Sequence, residues 1–186
     1  MSDINRIFYK ASVNKYHDIL EYINPQDISK NTIKNVMIHS AMNHDMFILE
    51  WCNKHLLDVS ELYDINIGCA AIDYDNINIL EWYIRQNCDI NIEYLLNYAF
   101  MAGKNKMLDW FYDNNYIINI DNCKDGIMKS FSYFHMKNVL IWLKQHNYLD
   151  EFYKKFLQNP NWIYEYKLSF NYAKIIEYFY EVGYKV

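Results

Sequence analysis

Six times along the chain, two aliphatic residues are followed by a third, usually acidic, residue and then an aromatic one. The word reads ILEY from Ile19, ILEW from Ile48 and again from Ile79, MLDW from Met107, VLIW from Val139 and IIEY from Ile175. Successive starts lie 29, 31, 28, 32 and 36 residues apart, a loose period near thirty. A catalytic site is needed once and a scaffold many times, so the word constrains architecture before chemistry.

Each word lies in a longer frame. Eight residues before its start stand Ala11, Ala71 and Ala99, with Ala41 displaced by one residue in the second unit. Eight residues after the start come Asn87, Asn115, Asn147 and Gly183, residue types that tolerate the left-handed conformation closing a helix. Each unit therefore reads as a helix with a small residue near its end, a short turn, and a second helix stopped by Asn or Gly. In the third unit Ile79, Leu80, Tyr83 and Ile84 form one face of a 3.6-residue period. Glu81 and Arg85 fall opposite at i,i+4, as do Glu50 and Lys54, which marks the solvent side.

Composition agrees with helices. Tyr 19, Phe 10 and Trp 5 stand against Gly 4 and Pro 2, too few turn-formers for a sheet protein with many tight hairpins. Apolar residues make up 52% and charged residues 22%, as in soluble globular proteins. The net charge of −5 argues against a general nucleic-acid binder, which needs a basic footprint. No uncharged apolar run reaches the ~18–20 residues that cross a bilayer, so no membrane partner is expected. The opening MSDINRIFYK has no signal-peptide core, and Cys52, Cys69, Cys88 and Cys123 form no CxxC pair. Reduced thiols in the cytoplasm are the expectation.

The segments AIDYDNINILEWYIRQNCDIN (Ala71–Asn91) and AFMAGKNKMLDWFYDNNYIIN (Ala99–Asn119) resemble the second half of an ankyrin repeat, the latter with its inter-helix glycine as Gly103. Across residues 5–186 the chain is similar to the degenerate ankyrin proteins of giant DNA viruses of amoebae, the mimivirus type; its excess of Asn, Ile and Tyr matches AT-rich coding. The resemblance implies an all-α fold, a single solenoid domain of about six degenerate helix-turn-helix repeats. The approximate units are 5–28, 32–59, 62–91, 92–119, 122–150 and 151–186. The family's Thr-Pro-Leu-His opening is absent throughout, and three spacings fall several residues below the usual period of about 33, so short or absent β-hairpin fingers are expected. A plain helical-pair solenoid is the alternative, and the sixth unit, entered through QNPNW (Gln158–Trp162), is expected to deviate. The recurrent aromatic (Tyr22, Trp51, Trp82, Trp110, Trp142, Tyr178) is expected to pack between successive second helices.

Residues with chemical potential have simpler readings. The third-place acids Glu21, Glu50, Glu81, Asp109 and Glu177 form a repeated solvated ridge, with no second carboxylate placed beside any of them. Cys52 and His55, with His39 and His44 nearby in sequence, fall short of four converging zinc ligands. There is no GxGxxG, P-loop or HExxH, and MAGKNK (Met101–Lys106) owes its glycine to the inter-helix turn. No catalytic residue, cofactor or metal is expected.

The resemblance implies that a partner meets the concave side, built from the exposed ends of the first helices. Carried over unit by unit, this gives Val13 and Asn14, Met42 and Asn43, Asp73 and Tyr74, Met101 and Ala102, and Tyr133 and Phe134. Exposed Tyr and Met suit protein recognition, one by rigid amphipathic area and the other by adaptability. The chain is expected to be a non-catalytic protein–protein interaction module, an adaptor or decoy of viral origin in a host cytoplasm. The alternative is a structural component self-associating through its terminal repeats.

Overall fold

The first helices of the first five pairs close in the same way. The N–H of Tyr16 donates to the Ala11 carbonyl (2.8 Å), Asp45 to Ser40 (2.9 Å), Asn76 to Ala71 (2.8 Å), Lys104 to Ala99 (3.0 Å) and His135 to Ser130 (2.9 Å). This six-to-one bond is that of a Schellman cap, which satisfies a carbonyl left over at the helix end. The residue before the donor is left-handed at Lys15 (φ 58°), His44 (φ 56°), Asp75 (φ 55°) and Gly103 (φ 63°). The same cap ends later second helices, with Asn115 (φ 60°), Asn147 (φ 63°) and Gly183 (φ 99°) in the left-handed place. The bonds also settle the register of the second unit. Ser40, not Ala41, is the counterpart of the recurrent alanine, and its hydroxyl is neutralised by donating to the Val36 carbonyl (2.8 Å).

The computed structural model describes residues 2–56, 62–86, 90–132, 135–166, 168 and 172–184, and there is no strand among them. Asn87, the expected stop of the third unit, Cys88, Tyr133 and Phe134 lie outside the described residues. The helices gather into two compact units, residues 1–91 and 92–186, and the division falls between the third and fourth sequence repeats.

The first unit contains α1 (Asp3–Val13), α2 (His17–Leu20), α3 (Lys30–Met42), α4 (Met46–His55), α5 (Ile65–Asp73) and α6 (Ile77–Arg85). The first helices of its pairs lie side by side, α1 on α3 and α3 on α5. The second unit contains α7 (Ile92–Met101), α8 (Asn105–Asp113), α9 (Ile120–Ser132), α10 (Met136–Gln145), α11 (Leu149–Gln158), α12 (Trp162–Glu165) and α13 (Tyr172–Glu181). Its α7 and α9 approach so closely that a Cβ on Gly126 would lie 2.2 Å from the Asn97 carbonyl oxygen. The long last link folds into the extra turn α12 after the Asn159–Pro160 break.

The word forms the walls of both cores. Ile48, Leu49, Ile79, Leu80, Met107, Leu108, Val139, Leu140 and Ile175 are all buried. Its aromatic is less uniform than the repeat suggested. Trp51, Trp142 and Tyr178 are buried, Trp82 and Trp110 are half-buried, and Tyr22 is 89% exposed, against the expectation that it packs between helices. The reason is local: Pro25 disfavours helix at Asn24, and Tyr22 and Ile23 turn off through three-residue bonds to Ile19 and Leu20. α2 therefore stops after one turn and Tyr22 has no neighbouring helix to enter.

Candidate functional site

The ends of the first helices in the first unit are tied into a row. Lys15 Nζ reaches the Asn43 carbonyl at 3.4 Å, and Asn76 Nδ2 reaches the Ala41 carbonyl at 3.5 Å. Asn76 also caps α6, its Oδ1 accepting from the Ile79 N–H (3.3 Å). A third tie links neighbouring pairs lower down, His17 Nε2 to Asp45 Oδ2 at 3.1 Å, with the His17 ring stacked on Phe47 at 4.1 Å. Such polar links join neighbouring helix pairs.

This row holds the surface residues singled out from the sequence. Asn14, Asn43, Asp73 and Tyr74 are exposed and Met42 is half-buried. The two asparagines also serve their own helices: Asn14 Nδ2 donates to the Lys10 carbonyl (2.7 Å) and Asn43 Nδ2 to the His39 carbonyl (2.8 Å). Tyr74, 46% exposed, offers an aromatic surface there. Met101 belongs to the second unit, where it lines a shallow cavity of about 90 Å³ with Tyr94, Asn97, Tyr98, Asp125 and Lys129.

The floor of that cavity is tied together by one side chain. Asn97 Oδ1 accepts from the Gly126 N–H (2.8 Å), while its Nδ2 donates to the Asn122 carbonyl (2.7 Å). Asn122 and Gly126 are the pair that an α-helix joins to each other, so one side chain of α7 is built into the ladder of α9.

One relationship was hidden in the third-place acids. Asp109 is half-buried and accepts from Trp142 Nε1 at 2.7 Å, with His146 Nε2 3.5 Å away. His146 stacks on Trp142 (4.1 Å, 20°), and Tyr112 meets His146 edge-on at 4.6 Å. Asp109 thus joins α8 to α10 and is not merely part of a solvated ridge. The visible signal was a histidine four residues after the tryptophan, present in Trp51/His55 as well as in Trp142/His146. Glu81 pairs with Arg85 on the surface, as the i,i+4 spacing indicates.

The three described cysteines offer no ready nucleophile. Burial pushes the thiols of Cys52, Cys69 and Cys123 up to about 12, where almost no thiolate exists near neutrality. Among the described residues no group of three or more His, Cys, Asp or Glu side chains could hold a metal ion, and no helix is long and apolar enough to cross a membrane. Comparison with family models, curated proteins and solved structures found no match for this chain.

Proposed function

We propose that the chain is a non-catalytic protein–protein interaction module built of ankyrin-like helix pairs. In this reading it is a viral adaptor or decoy that binds a host or viral protein in the host cytoplasm. The observation that carries the reading is the row of first-helix ends in the first unit. Lys15, Asn43 and Asn76 tie the backbone there, and Met42, Asp73 and Tyr74 stand at its edge. A surface whose backbone is already ordered loses little entropy on binding, so several moderate contacts suffice for affinity. The absence of a basic stripe in an acidic chain favours a protein partner over nucleic acid.

The test is affinity capture with the native chain and with a Met42→Ala/Asp73→Ala/Tyr74→Ala variant, both first checked for equal thermal midpoints. Loss of the same captured protein from the variant is the expected result. An unchanged set of partners rejects the helix-end row as the binding face. Self-association is the second reading, favoured by apolar side chains exposed near both ends, Ile7 at 47% and Tyr180 at 72%. Sedimentation at several concentrations separates the two, since a strict monomer excludes it.

A further inference from the structure

The two units contain the same tryptophan–histidine stack with different surroundings. In the second unit Trp142 stacks on His146, Asp109 accepts its indole N–H, and Tyr112 covers both rings. In the first unit Trp51 stacks on His55 (5.0 Å, 28°), and the word places Glu21 where Asp109 stands and Asn24 where Tyr112 stands. Yet Trp51, only 5% exposed, has its Nε1 buried with no hydrogen-bond partner among the described residues. A buried donor left unpaired is costly, so an acceptor brought to it stabilises the bound state.

The cause is the early end of α2. Where α8 runs on to Asp113 and lays Tyr112 across α10, α2 ends at Leu20 and turns away before Pro25. The uncovered face of α4 opens on a cavity of about 450 Å³ lined by Glu21, Phe47, Glu50, Trp51, Lys54 and His55. Trp51 lines the cavity as a buried residue, and the other lining side chains are exposed. Lys54 and His55 supply positive or proton-donating groups at one end, and Glu21 and Glu50 supply negative ones.

We infer that this cavity is a docking site for a partner's acidic–aromatic helical turn, of the pattern Asp/Glu-x-x-Tyr/Phe. Its carboxylate takes the Trp51 indole N–H as Asp109 takes that of Trp142, and its aromatic ring meets Trp51 and His55 edge-on as Tyr112 meets Trp142 and His146. The chain's own second unit is the template for the chemistry. The spacing follows from it too, since residues three apart share one face of a helix. The site uses α4, not the first-helix ends, so it stands independently of the helix-end reading above.

The probe is an acetylated, amidated peptide carrying the chain's own residues 104–116, KNKMLDWFYDNNY, titrated into the ¹⁵N-labelled full chain. The Trp51 indole resonance is assigned by its loss in Trp51→Phe. The expected result is a saturable downfield shift of that resonance. Binding falls about tenfold for the peptide with Asp109→Asn and again for the peptide with Tyr112→Ala, both measured on the unaltered protein. Trp51→Phe weakens binding of the parent peptide by a similar factor. An unmoved Trp51 resonance up to millimolar peptide overturns the proposal, as does equal affinity of the Asn peptide. A Trp51 resonance that responds to Glu21→Gln but not to peptide also overturns it, because the chain's own Glu21 is then the acceptor.

Discussion

Asn97 and Gly126 hold α7 and α9 together as one backbone-to-backbone contact. The Asn97 amide accepts from the Gly126 N–H at 2.8 Å, and the missing Cβ of Gly126 leaves the room in which the Asn97 carbonyl lies. A methyl group there would meet main-chain atoms at 2.2–2.8 Å, and main chain cannot rotate away as a side chain can.

Gly126→Ala is therefore expected to destabilise the second unit severely, although alanine is the better helix former by about 1 kcal/mol. Overpacking of this kind costs about 1–3 kcal/mol or more. Gly183→Ala is the control: among the described residues no atom beyond its chain neighbours lies within 4 Å of an added Cβ, and the positive φ of 99° is what opposes it. Urea midpoints of the two variants check this, and a Gly126→Ala midpoint at or above that of the native chain contradicts the packing.

Asp109 and Trp142 form the second test. Asp109→Ala strands the buried Trp142 N–H, an expected loss of about 1–3 kcal/mol, whereas Trp142→Phe leaves the half-exposed Asp109 to water and loses the bond itself, about 0.5–1.5 kcal/mol, besides any packing. The double variant should lose less than the sum, because neither polar group is then left behind. Trp51→Phe should cost less than Trp142→Phe, since the Trp51 donor has no partner to lose. Thermal midpoints of the four variants are the measurement.

Helix pairing was legible because a buried aliphatic pair such as Ile79–Leu80 cannot change without opening a core, and so the word recurs. The stops at Asn115, Asn147 and Gly183 were legible for a similar reason, since few residues accept a positive φ. Lys15 occupies the same backbone state, yet nothing in its identity signals it, and His44 and Asp75 belong to types only enriched there, not confined to it. There the packing of the two flanking helices imposes the conformation on whatever residue arrives. The Asp109–Trp142 bond was hidden because an acid at that place reads equally well as solvated. Only the length of α8 against the shortness of α2 distinguishes it from Glu21, and that difference rests on a single proline, Pro25.

The imposed left-handed residues give a third expectation. Lys15→Gly removes a steric conflict worth about 1–2 kcal/mol but adds chain entropy of about 0.4–1 kcal/mol to the unfolded state. It also gives up one long, exposed bond to the Asn43 carbonyl. A net gain of about 0.5–1 kcal/mol is expected from these terms. Gly103→Ala runs the other way: its φ is positive, and its Cβ would come 2.5 Å from that of His135. Denaturant curves showing the same sign for both substitutions would break the argument.

Alkaline stability follows from the buried thiols. Cys52, Cys69 and Cys123 are raised by burial from their ordinary 9.0 to about 12, with Asp73 and Asp64 adding to the effect at Cys69. In the unfolded chain these thiols ionise from about pH 8.5 upward, whereas the folded chain still holds their protons. The unfolded state then binds fewer protons than the native state, so stability falls as pH rises. The loss begins near pH 9 and runs toward about 12. Tyr184, raised to about 12 by burial and its bond to Asp150, and Tyr148, Tyr166 and Tyr178, also raised, act in the same direction. A Cys52→Ala/Cys69→Ala/Cys123→Ala variant should show a shallower decline between pH 9 and pH 11, whatever its stability at pH 7. Parallel slopes for the variant and the native chain would show that the thiols do not govern the alkaline limb.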